Sequence, residues 1–150
     1  MGRTTLLANP HSRPARVASS WDTVGMQKIS LEALGRQQMK LAATAGGRHT
    51  ADTVYGGHEK VLRQTVIGMI AGARLAEHEN PGEATALILH GRVRLAAAGE
   101  SWDAARGDLL IMPDQRHSLE ALEDCAVLLT VAKLSGLAAR NAVGGARYPT

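Results

Sequence analysis

Two histidines, His78 and His117, stand in this sequence at spacings that suit chemistry. An imidazole titrates near neutral pH, so it can act as a general base, a hydrogen-bond partner or a nitrogen donor to a metal. The first lies in the run Gly72, five residues, His78, one, Asn80, three, Ala84, six, Gly91. The second closes the run Gly107, five residues, Pro113, one, Gln115, one, His117, three, Ala121. Side chains alternate along a strand, so His78 and Asn80 share one face, as do Ala84, Ala86 and Ile88 on the next strand and His117, Leu119 and Ala121 on a third. In an antiparallel barrel such inward sets converge on one interior pocket. A few polar groups in a mostly apolar cavity is the usual composition of a small-molecule site. The expected lining is therefore His78, Asn80, Ala84, Ala86, His117, Leu119 and Ala121.

Other chemically capable residues read as structural. His90 directly precedes Gly91 and suits a solvated turn, His58 a strand entrance, His49 a loop. Ser118 neighbours His117 but faces the opposite way on a strand, so the two do not form a nucleophile and base. Cys125 beside an apolar run reads as a small core or interface residue and not as a reactive thiol. Of Arg63 and Gln64, one alone can face the pocket, and Arg92 with Arg94 suits a solvated strand face. Asn80-Pro81-Gly82 is a turn.

The elements that must position these residues are legible. Ser30 suits a helix N-cap, Glu32 the first turn, and Leu31, Leu34, Gln38 and Leu41 recur at helical spacing, predicting a helix over about 30–43 that ends before Gly46-Gly47. Beyond it, apolar or alternating runs fall at 50–55, 61–70, 74–78, 85–89, 93–97, 108–112, 117–122 and 126–132, with a weaker one near Trp102. Each is closed by Gly, Pro, Asn or Asp. Strands at this spacing predict an antiparallel sandwich or barrel. Residues 1–25, with Asn9-Pro10 and Arg13-Pro14, read as a flexible leader, Met26 offers an internal start, and 134–150 read as a flexible tail.

The two runs resemble the paired motifs of the cupin family, G-x5-H-x-H-x3-E-x6-G and G-x5-P-x-G-x2-H-x3-N. The first matches at every spacing, with Asn80 in place of the second His and Ala84 in place of the Glu. The second is one residue shorter between Pro113 and His117, with Gln115 and Ala121 at the Gly and Asn positions. The resemblance covers about residues 60–132 and implies an all-β, cupin-type antiparallel β-barrel or jelly roll with a short N-terminal helix, in a domain over 26–133. It also implies a homodimer, consistent with Leu87 and Leu89 facing away from the pocket, as Ile67 and Met69 do if Val66 and Gly68 face in.

A cupin metal site uses imidazoles and a carboxylate around iron, manganese, nickel, copper or zinc. Here His78 and His117 alone match, and the amide of Asn80 brings no negative charge. Glu79 and Glu83 have the wrong strand parity. Two functions are carried forward. One is a small-molecule-binding module oriented by His78, Asn80 and His117. The other is an enzyme, either a metal-dependent oxygenase or isomerase with a reduced ligand set, or a metal-free catalyst with His78 or His117 as base.

Composition bounds these readings. The chain has 150 residues, enough for one domain with its own core. Net charge is +3, but the basic excess lies in the two ends, and residues 29–133 are slightly acidic. A nucleic-acid face should be concentrated on the folded domain. With two Trp, two Tyr and no Phe, the chain also lacks the rings on which single-stranded bases stack. A DNA-binding regulator would need a helix-turn-helix, which is not evident. One cysteine excludes an intramolecular disulfide and fits a reducing cytoplasm. No run approaches the ~20 apolar residues of a membrane helix.

Overall fold

The computed structural model describes residues 25–78 and 82–133, with the backbone alone at 76–78. The expected leader and tail lie outside the described residues, apart from Gly25. One helix, α1 (Leu31–Thr44), precedes nine strands: β1 (His49–Tyr55), β2 (Leu62–Met69), β3 (Arg74–His78), β4 (Gly82–His90), β5 (Arg92–Ala97), β6 (Glu100–Ala105), β7 (Leu109–Ile111), β8 (His117–Ala121) and β9 (Cys125–Lys133). They form a five-stranded sheet, β1-β2-β9-β4-β7, facing a four-stranded sheet, β3-β8-β5-β6, with antiparallel pairing throughout. This is the expected β-sandwich barrel with one short helix, each strand falling on its expected run.

Helix α1 starts where Ser30 Oγ accepts from the Ala33 amide at 3.3 Å, and ends at Ala45, whose amide reaches Leu41 and Ala42 carbonyls. Its buried stripe differs from the expected one. Gly35, Gln38 and Ala42 are buried, whereas Leu41 is 47% exposed. Close approach to the sheet decides the stripe: a methyl on Gly68 would lie 2.3 Å from the Gln38 carbonyl carbon, so the helix seats directly on the β2 backbone. Small residues, not large apolar ones, mark this contact.

The same contact reverses the expected facing of β2. Val66 and Gly68 face α1, while Ile67 and Met69 join the core with Ala86, Ile88, Val93, Leu119, Ala121, Cys125 and Val127. His90 is not a solvated turn residue. It is half-buried beneath α1, with Nε2 3.3 Å from the Glu32 carbonyl oxygen and its ring against Gly35. His49 begins β1 instead of lying in a loop, its Nδ1 2.9 Å from the Gly47 carbonyl oxygen.

Candidate functional site

The chain order brings the two histidines to one end of the sandwich. At that end β3 stops at His78 and β4 begins at Gly82, β5 turns into β6, β7 leads to β8 at His117, and β1 leads to β2 at Leu62. His78 and His117 are direct cross-strand partners in the β3–β8 pair, beyond an irregularity between Leu75 and His78. Cα atoms of partners in such register lie about 5 Å apart. Asn80 lies outside the described residues.

His117 is 2% exposed, and its Nδ1 lies 2.9 Å from the Gln115 carbonyl oxygen. A carbonyl can only accept, so Nδ1 carries the proton and donates. In the neutral ring Nε2 then bears the lone pair. Ser118, 4% exposed, pairs with Ala96 on the opposite face of the same sheet, as strand alternation requires.

Across the interior stand Ala84 (6% exposed) and Ala86 (0%) on β4, and Leu119 (4%) and Ala121 (1%) follow His117 along β8. All four belong to one apolar cluster. They pack in the core with Ile67, Met69, Ile88 and Val127, and buried His117 stands at the end of the sandwich where β8 begins. A cavity of about 500 Å³ lies elsewhere, at the β1 edge between Gly25, Gln27 and the Thr53–Gly56 segment. It shares no residue with the inward set.

Cross-strand register extends this end of the sandwich beyond the expected residues. The row containing the histidines runs His78, His117, Ala97, Glu100, and the next runs Leu75, Leu119, Leu95, Trp102. Glu100 and Trp102 thus occupy inner-face positions at the edge strand, where both are exposed. The signal that locates them is the two-residue turn Ala98-Gly99, whose positive φ values of 49° and 80° suit the hairpin turn that fixes this register. On the other sheet Arg63 pairs with Val131, which pairs with Ala84. Of Arg63 and Gln64, Arg63 is accordingly the inner-face residue. Gln64 faces outward and donates from Nε2 to Thr130 Oγ1 at 3.2 Å.

The described residues do not supply a metal-ligand set. No group of three or more His, Cys, Asp or Glu among them converges. The position from which the family motif would supply a carboxylate holds the buried methyl of Ala84.

Among solved structures, the fold matches an RmlC-like cupin from Desulfovibrio desulfuricans at 25% identity and TM-score 0.51, covering 57% of this chain and 82% of that one. The chain has the cupin fold. A second cupin, from Desulfitobacterium hafniense, matches at 16% identity and TM-score 0.55, over 63% of this chain and 88% of its own. A conserved Streptococcus pyogenes protein of unknown function matches at 27% identity and TM-score 0.54, over 61% and 80%. No family model matches the sequence, and no curated protein does. No helix among the described residues is long and apolar enough to cross a membrane.

Proposed function

We propose that this cupin binds a small organic molecule in the interior between its sheets, oriented by His78, Asn80 and His117 against a wall of Ala84, Ala86, Leu119 and Ala121. The observation that carries the reading is the register of His78 with His117, whose buried ring heads the strand that carries Leu119 and Ala121 into the interior. The cupin domain spans 26–133. Two further readings accompany this one: a homodimer formed through the apolar outside of the five-stranded sheet, and a reducing cytoplasm, which the single Cys125 suits.

The competing reading is a metal-dependent oxygenase or isomerase completed by ligands outside the motif. Elemental analysis of untagged protein and calorimetric titration with divalent metals separate the two. The binding module takes up divalent metal weakly, and Ala84→Glu with Asn80→His raises that affinity at least about tenfold by returning a carboxylate and an imidazole to the site. Ala84→Glu alone, without metal, lowers stability by about 1–3 kcal/mol, the usual cost of burying a polar group without a partner. Tight stoichiometric metal in the unmodified protein would move the assignment to the metalloenzyme.

A further inference from the structure

The cavity at the β1 edge shares nothing with the proposed ligand site. Strand β1 is an edge of the five-stranded sheet, with β2 as its neighbour. An edge strand presents a row of backbone N–H and C=O groups that a further strand can pair with. The cavity, about 500 Å³, lies against Thr53, Val54, Tyr55 and Gly56 and against Gly25 and Gln27. Thr53 pairs with Thr65 and Tyr55 with Gln64, so Val54 is the extra residue of a bulge. Among the described residues, no backbone hydrogen bond joins 25–29 to 53–56. The side chains that line the cavity, Gln27, Thr53, Val54 and Tyr55, carry no charge. A strand edge walled by neutral side chains suits an extended peptide, which docks by main-chain hydrogen bonds.

The chain brings such a segment to this place. Gly25, where the described residues begin, is in the cavity wall, and its φ of 69° is a left-handed turn conformation that glycine adopts without strain. Twenty-four residues precede it in the sequence. Val24 is joined covalently to that wall, so its Cα lies about 3.8 Å from that of Gly25. The last four residues before the wall are Trp21, Asp22, Thr23 and Val24, and Trp, Thr and Val are among the types that strands favour. Four extended residues span about 13 Å, the length of the facing segment from Thr53 to Gly56. A tethered segment also outcompetes a second copy or a foreign peptide, because its effective concentration is on the order of millimolar at any protein concentration.

We propose that residues 21–24 of this chain occupy the cavity as a strand added to β1, turning at Gly25. This docking lies outside the ligand reading and does not depend on it. It covers an edge that would otherwise template pairing between molecules. The test uses the full chain, with nuclear Overhauser contacts and amide hydrogen exchange read by NMR. Wild type should show backbone contacts between 21–24 and 53–56. Neighbouring residues of a strand point their N–H groups to opposite sides, so Asp22→Pro combined with Thr23→Pro removes whichever of the two donors faces β1. At least one amide among 53–56 should then exchange about tenfold or more faster than in wild type, as expected for losing about one strand-pairing hydrogen bond. Amides in β4 and β9 should keep their rates, which separates undocking from general unfolding. Ala8→Pro, outside the segment, should change nothing. Absence of the backbone contacts in wild type, or equal exchange of 53–56 in wild type and the double variant, would overturn the proposal. Protection of 53–56 that fades on dilution would assign the edge to a second copy of the chain and overturn it as well.

Discussion

Burial pushes the Cys125 thiol up from its ordinary 9.0 to about 12, with the nearby Asp124 carboxylate adding to the shift. The sulfur is fully enclosed in the core where β9 begins. A thiol whose folded value is raised binds its proton more tightly in the native state. It contributes stability in full below 9 and loses it as pH rises from 9 toward 12. Wild-type melting temperature should therefore fall more steeply across that window than that of Cys125→Val, in which the other alkaline-titrating groups are unchanged. Native protein should also resist a thiol reagent that labels it after unfolding, since the thiolate is the reactive form. Equal alkaline slopes for the two proteins would show that burial does not hold this proton. The sequence reading of Cys125 as a core residue agrees with its position. Arg63 and Gln64 show where reading by residue stops, because alternation says that one faces inward and only pairing with Val131 decides which.

Strand alternation placed Ala86, Leu119 and Ala121 on inner faces because each lies within a run that turn residues close, and Ala84 has the same parity one residue before its run. The β2 and α1 faces were not legible in the same way. The second half of β2 and the first half of β9 are buried on both faces, since the core lies on one side and α1 on the other, and a strand covered twice carries no alternation to read. The helix faces the sheet through Gly35 and Gln38, so its strongest apolar spacing pointed along the wrong stripe. The close contact yields a contrast between two glycines. Gly68→Ala would drive a methyl to 2.3 Å and 2.4 Å from the Gln38 carbonyl carbon and oxygen, where backbone must move. Overpacking of this kind typically costs about 1–3 kcal/mol, a drop of at least several degrees in melting temperature for a domain near 100 residues. Gly35→Ala meets the His90 ring at 3.1 Å and the Ala126 methyl at 3.2 Å. The ring can shift a few tenths of an ångström, and alanine gains roughly 0.5–1 kcal/mol of helix propensity. Thermal melts should show Gly68→Ala clearly destabilised and Gly35→Ala near wild type. The reverse order would mean that α1 does not seat directly on β2.

The two outer faces of the whole sandwich differ in kind. Across the four-stranded sheet, Arg74, Glu120, Arg94 and Asp103 stand in one register row of alternating charge. Arg94 Nε donates to Asp103 Oδ1 at 2.8 Å and its Nη2 to Oδ2 at 3.1 Å, which holds the Asp103 carboxyl below its usual range. That face is built for water. Outside the five-stranded sheet, one register row runs Val66, Leu128, Leu87, Leu109 and the next Tyr55, Gln64, Thr130, Thr85, Ile111. Helix α1 covers the Val66 end, while Leu109 is 55% exposed, Ile111 68% and Tyr55 49%. Clustered large apolar side chains on one face mark an association surface when nothing within the chain covers them. A two-fold contact presents the same patch from both subunits, so a single substitution there enters the interface twice. A lysine introduced in the patch would thus bring two like charges into apolar contact. Sedimentation of the full chain at micromolar concentration should give a dimer. Leu109→Lys and Ile111→Lys should each shift it toward monomer without lowering the helix and strand content seen by circular dichroism. Arg94→Ala, on the charged face, should leave the mass unchanged. A wild-type monomer, or a dimer indifferent to both lysines, would remove the five-stranded sheet as the interface while leaving the fold as described.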